Sequence, residues 1–128
     1  MRKILLIVAA LLLVFTLSAC AEQGFTDISN EELVEMLASD TEYLFIDVRT
    51  SGEFYNERLP GFNLNYDFYI FEEDYSLLDG IDTTMPVVIM CNSGNRSVDA
   101  SNIFLEIGFT EVYNLEFGIE GWDGETIN

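Results

Sequence analysis

An unbroken apolar run from Ile4 to Phe15 opens the chain, preceded by Arg2 and Lys3 and followed by the small residues Ser18 and Ala19 just before Cys20. A basic start, an apolar middle and a small-residue end are the three parts of a secretory signal. The run is also shorter than the roughly 20 apolar residues that a spanning helix requires. Residues 1–19 are therefore expected to direct export rather than to build a core.

Beyond a short polar stretch the hydrophobic pattern becomes that of a folded domain. Ser29-Asn30-Glu31-Glu32 fits a capping box, and Leu33, Met36 and Leu37 follow at helical spacing, which predicts a helix over Asn30 to Ala38. The apolar run from Tyr43 to Val48 reads as a buried strand, ending in a polar turn at Thr50-Ser51-Gly52. Leu59-Pro60-Gly61 marks a further turn, and the acidic, aromatic stretch from Tyr66 to Leu78 is expected to hold a helix near its end. Pro86 to Met90 is apolar throughout, as a central parallel strand should be, and delivers Cys91 at its carboxyl end. After Asn92-Ser93-Gly94-Asn95, a helix from Arg96 carries Ala100, Ile103, Phe104 and Ile107 on one face, with Gly108 as its C-cap, and Val112 to Leu115 forms a last strand. Strands alternating with helices predict an α/β domain, a mostly parallel central sheet with helices on both faces.

Charge narrows the partners. Beyond the signal the basic residues are Arg49, Arg58 and Arg96, set against all 23 acidic residues. Such a surface disfavours nucleic acid and anionic headgroups, so contact with a membrane would have to come from a lipid. The chain contains no histidine and two cysteines. Cys-His dyads, histidine metal sites and histidine-based serine triads are thereby excluded, and neither a metal nor a cofactor is expected.

The segment Leu17-Ser18-Ala19-Cys20 resembles the lipobox of bacterial lipoproteins, in which the cysteine is acylated and becomes the first mature residue. That resemblance implies a lipid on Cys20, a tether over 20–25, a domain over 26–128, and a place in the bacterial cell envelope outside the cytoplasmic membrane. Cys91 is then the one thiol left in the mature chain, which stands out in an oxidising compartment.

A strand, a glycine loop and a helix N-terminus together aim backbone N–H groups at one point. The helix dipole and the Arg96 guanidinium would both favour thiolate at Cys91. Cys91-Asn92-Ser93-Gly94-Asn95-Arg96-Ser97 resembles the active-site loop of single-domain rhodaneses, the sulfurtransferase family that includes the phage-shock protein E group. Ordered blocks around it resemble the same family: Phe45 to Arg49 with Glu53-Phe54, then Leu59-Pro60-Gly61, then Gly108-Phe109 through Val112 to Leu115, Gly118-Ile119 and Trp122. The resemblance implies a rhodanese-like domain in which Cys91 takes a sulfane sulfur from a small anionic donor such as thiosulfate and passes it to cyanide or a thiol. It gives Arg96 the role of orienting the donor, and Asn92, Ser93, Gly94, Asn95 and Ser97 that of the cradle. Asp47, Arg49 and Glu53 read as a structural charge network at the strand end, and Trp122 as packing.

Three positions depart from the family pattern. Arg58 replaces the usual histidine before the Leu-Pro-Gly turn, Phe62 the usual alanine, and Phe117 the first of a glycine pair, so Arg58, Phe62 and Phe117 are candidates for the pocket rim. Two rival readings share the fold. Cysteine phosphatases and arsenate reductases share the cradle, and the phosphatases place five residues between cysteine and arginine, whereas four stand here, Asn92 to Asn95. A non-catalytic persulfide carrier, redox sensor or binding module would keep the fold without turnover.

The lipobox yields a direct expectation. Cys20→Ser should no longer incorporate labelled palmitate and should leave the membrane fraction, with the circular dichroism of the domain unchanged; a variant still labelled and sedimenting with membranes would remove the anchor assignment.

Overall fold

The structure, a computed structural model, describes residues 24–128; the signal, the lipobox and Cys20 lie outside the described residues. Five strands form one sheet: β1 (Thr26–Ile28), β2 (Leu44–Asp47), β3 (Leu64–Asn65), β4 (Val87–Met90) and β5 (Val112–Leu115), in the order β1-β5-β4-β2-β3. Every pairing is parallel, with Ile46 opposite Ile89 and Ile89 opposite Asn114 across the middle. The helices are α1 (Asn30–Ala38), α2 (Ser51–Asn56), α3 (Phe68–Phe71) and α4 (Asn95–Glu106), and a 3₁₀ turn spans Tyr75–Leu78.

β4 lies at the centre, and the pleat divides its side chains between two cores. Val87, Ile89 and Cys91 face a cluster with Ala100, Ile103 and Phe104 of α4 and Phe68 and Phe71 of α3. Val88 and Met90 face the opposite cluster, with Leu33 of α1, Leu59, Phe62 and Leu115. All four β4 residues are buried, which is why their run shows no polar alternation. The expected two-faced α/β layering is therefore present, with Cys91 on the α4 side.

Local chemistry sets the helix ends. Ser29 and Glu32 close a capping box on α1, at the boundary the sequence predicts. The C-terminus of α4 ends at Ile107, one residue before the expected cap. Gly108 N–H then bonds Leu105 O and Phe109 N–H bonds Phe104 O, the paired bonds of a Schellman motif.

Elsewhere the structure corrects the expectations. The polar turn at Thr50-Ser51-Gly52 is instead the start of α2, with Thr50 and Glu53 forming a second capping box. Six residues with Phe54 alone buried are too few to display a helical period. The helix expected in the Tyr66 to Leu78 stretch is split in two, with Asp67 and Asp74 each capping a short turn. β1 and β3 carry no sequence signal, because edge strands of three and two residues are defined by their neighbours' hydrogen bonds.

Phe62 is not a rim residue: it is fully buried, its ring 5.4 Å from that of Phe45. Large aromatic side chains dominate core energetics, and the Phe45–Phe62 contact spans the underside of the sheet. Phe62→Ala should lower stability by about 3–5 kcal/mol in urea unfolding. A Phe62→Leu protein that folds but transfers sulfur to a different set of acceptors would restore Phe62 to the pocket.

Candidate active site at the carboxyl end of β4

Cys91 directly follows β4, and its Sγ sits in a closed loop. Gly94 N–H donates to Sγ at 3.1 Å, and the thiol lies 3.2 Å from Ser97 Oγ. In the thiolate the Ser97 hydroxyl reverses and donates to sulfur. Cys91 is 1% exposed and Ser97 fully buried, and Ser101 Oγ donates to Ser97 O at 2.6 Å, tying the first turns of α4 together. No side chain caps α4, so its first N–H groups are left for whatever enters the loop.

The outer side of the loop is held by the chain after β5. Ile119 N–H donates to Cys91 O at 3.0 Å and Glu120 N–H to Asn92 O at 2.9 Å. Two glycines make this approach possible. A Cβ at Gly118 would meet the carbonyl oxygens of Cys91 and Asn92, and one at Gly94 would meet Glu116 O; both residues also have positive φ, 60° and 98°. The glycine retained beside Phe117 is therefore the one that the loop needs.

Side chains complete the frame. Asn92 Nδ2 donates to Glu120 Oε1 at 2.7 Å. Arg96 does not point a free fork at the thiol: its Nη1 and Nη2 donate to Glu53 Oε2 and Oε1, both at 2.9 Å, and its guanidinium lies over the Tyr69 ring at 5.4 Å. The sequence grouped Glu53 with Asp47 and Arg49, but α2 turns Glu53 toward Arg96. Asp47 and Arg49 do form a buried pair at 2.7 Å. Arg49 also donates to Glu57 O, and Asn65 Nδ2 donates to the carbonyls of Asp47 and Arg49, so this pair fixes the end of β2.

Of the proposed rim, Phe117 lies against the loop with its side chain exposed. Arg58 instead bridges to Ile127 near the C-terminus, its guanidinium 5.1 Å from the Phe54 ring. Ser93 and Asn95 are exposed, and Trp122 packs beside the Phe62 cluster, its indole N–H donating to Glu125 O. Tyr69 and Glu120 had no signal in the sequence, since each acts only on a distant partner, Arg96 and Asn92.

A strand-loop-helix cradle around one cysteine, on a parallel five-stranded sheet, is matched by a sequence profile: that of the rhodanese-like domain covers residues 29–125. The chain belongs to the rhodanese-like domain family. Among its relatives, the thiosulfate sulfurtransferase GlpE of Glaesserella parasuis is 30% identical over 79% of this chain and 89% of its own length. GlpE of Shewanella oneidensis is 30% identical, covering 77% and 93%. Among solved structures, a rhodanese-related protein from Thermoplasma volcanium superposes with a TM-score of 0.66 at 20% identity, covering 80% of this chain and 98% of its own. A rhodanese with anions from E. coli gives 0.55 at 25% identity, covering 68% and 99%. In this rhodanese-like domain the loop shape is set by main chain, and the arginine closing it is held by a carboxylate.

The Arg96 fork, together with Thr50, draws the Glu53 carboxyl down from 4.5 to about 2. The folded state therefore keeps this carboxylate ionised where the unfolded chain has already taken up a proton. The pair's contribution is complete above about pH 4.5 and falls away as the pH drops toward 2. Urea unfolding at pH 6 and at pH 3 should show a larger acid loss for the native protein than for Glu53→Gln; equal losses would mean that the pair does not form in solution.

Proposed function

We propose that this rhodanese-type sulfurtransferase works through a persulfide on Cys91, taking a sulfane sulfur from a donor such as thiosulfate and giving it to a thiol or cyanide. The observation that carries this reading is the enclosure of Sγ by Gly94 N–H and Ser97 Oγ under the uncapped start of α4. With thiosulfate, the Cys91 thiolate attacks the outer sulfur. The bond between that sulfur and the sulfonate sulfur breaks, sulfite leaves with the electron pair, and the negative charge passes to the terminal sulfur of Cys91–S–S⁻. The terminal sulfur stands about 2 Å beyond Sγ, which carries the reactive atom outward from an almost fully enclosed residue. The N–H groups at the start of α4 would stabilise that anion, as fixed dipoles do at developing charge. An acceptor thiolate or cyanide then attacks the terminal sulfur and releases the Cys91 thiolate.

The order of parts also supports a role for each neighbour. Gly94 and Ser97 hold the sulfur, Glu53 and Tyr69 hold Arg96, and Asn92 with Glu120 holds the loop's outer turn. Arg96 is accordingly read as a positioning residue. The loop with four residues between Cys91 and Arg96 supports sulfur transfer over the oxyanion chemistry of phosphatases, whose loops are one residue longer. We further propose that lipidation of Cys20 anchors the domain in the cell envelope, outside the cytoplasmic membrane, so that donor and acceptor meet it there.

Incubation with thiosulfate should add about 32 Da, one sulfur, to the intact protein, and cyanide or a thiol should remove it. Cys91→Ser should lose both the adduct and turnover while its melting temperature stays near the native value. Substantial transfer by Cys91→Ser would eliminate the persulfide route.

A further inference from the structure

The aromatic, acidic stretch that follows β3 leaves apolar surface uncovered. Of the nine large apolar or aromatic side chains exposed among the described residues, five lie in one short segment: Leu64, Tyr69, Ile70, Tyr75 and Leu77. α3 is a single turn, so with Phe68 and Phe71 turned into the core, Tyr69 and Ile70 face outward. Ile70 and Leu77, 58% and 50% exposed, line a groove of about 340 Å³ together with Asn65, Tyr66, Asp67 and the buried Phe71. Apolar side chains gathered round one groove mark an interaction site, whereas the same residues scattered singly would not.

Charge states what fits there. No lysine or arginine stands between Arg58 and Arg96, while Asp67, Glu72, Glu73, Asp74, Asp79 and Asp82 all do. Asp67 lines the groove, and Glu72, Glu73 and Asp74 are exposed on the link from α3 to the 3₁₀ turn that carries Leu77. A second copy of this chain would bring like charge to the contact, and so would an anionic bilayer. A protein segment with lysine or arginine around an apolar side chain matches both the groove and its surroundings. β3 is also an edge of the sheet, and its Asn65 lines the groove, so an extended segment meets edge backbone there.

The groove adjoins the site already described. Tyr69, the neighbour of Ile70 in α3, places its ring 5.4 Å from the Arg96 guanidinium. One residue of α3 thus lines the groove, and the residue before it covers the arginine that closes the Cys91 loop.

We propose that the groove between α3 and the 3₁₀ turn docks a basic segment of a partner protein. An apolar side chain of that segment enters between Ile70 and Leu77, and its lysines or arginines meet Asp67, Glu72 and Glu73. Docking stands apart from the persulfide reading, which adds only that the partner is then held beside the Cys91 loop.

The test follows fluorescence anisotropy on the full-length protein in phosphatidylcholine nanodiscs. An ionic strength of about 0.15 M screens attraction beyond about 8 Å. The probe is a labelled peptide of lysines flanking one central leucine, and two companions replace the leucine by serine or the lysines by glutamates. The leucine peptide should bind about ten-fold or more tighter than the serine peptide. Ile70→Ser combined with Leu77→Ser should remove that advantage at a near-native melting temperature, since both side chains are exposed. Glu72→Gln with Glu73→Gln should weaken the leucine peptide about five-fold or more, whereas Glu31→Gln with Glu35→Gln, an equal loss of charge on α1, should change it less than about two-fold.

Equal binding of the leucine and serine peptides, or equal weakening by the α1 pair, would reduce the attraction to the overall charge of the chain and overturn the proposal. Preference for the glutamate peptide would overturn it too, as would self-association or anionic-vesicle binding that depends on Ile70, since each puts another occupant in the groove. The Ile70→Ser, Leu77→Ser protein should acquire sulfur from thiosulfate on Cys91 at the native rate; a loss confined to this variant would make the two residues part of the sulfur site and overturn the docking role. Absence of the adduct in native and variant protein alike would sink the persulfide reading and leave the docking result standing.

Discussion

Everything at this site depends on where the loop after β4 sends its carbonyls. A tight turn can direct its N–H groups inward only if its C=O groups find donors outside. Here the donors are the main-chain N–H groups of Ile119 and Glu120, bonded to Cys91 O and Asn92 O. Without them two carbonyls beside a buried sulfur would lack partners, at the cost of an unsatisfied polar group. With them, Gly94 N–H turns to Sγ, and the segment after β5 must pass so close that only glycine fits at positions 94 and 118. Phe117 is tolerated because its side chain leaves the contact for solvent.

The second layer of constraint is electrostatic. A guanidinium beside a reactive cysteine invites the reading that it attracts substrate. In this molecule α2 presents Glu53 to both Nη atoms of Arg96, and the Tyr69 ring covers the planar ion, so its charge is answered within the protein. A bidentate pair of this kind is directional as well as attractive, and it fixes the start of α4 relative to α2. An anion at the loop also meets the short-range dipoles of its backbone N–H groups, while the acidic surface acts over a longer range.

The departures from the family pattern divide along the same line. Phe62 is absorbed by the core under the sheet, against Phe45 and beside Leu33, Leu59 and Met90, where an aromatic ring adds apolar contact. Arg58 is absorbed by the C-terminal strap, through paired main-chain bonds with Ile127 and a stacked contact with Phe54. Phe117 remains at the surface, and so it is the departure that changes what the loop presents to the outside.

The sequence by itself determined the fold class, α1, β2, β4, β5 and α4, and the cysteine. Each of these rests on a local or periodic signal: a capping box at Ser29, a fully apolar β4, an amphipathic face from Ala100 to Ile107, a glycine loop before Arg96. Residues whose meaning lies in a distant partner were decided by the tertiary structure alone. Edge strands β1 and β3 exist through the backbone groups of β5 and β2, and α2 has too few buried residues for a period. Glu53, four residues from Arg49 in the chain, pairs with Arg96 forty-three residues away, and Asn92 with Glu120 twenty-eight away. Period and spacing record the contacts of a residue along its own element; they hold no information on which side chain another element brings to it, and the electrostatic character of this site is set by such contacts.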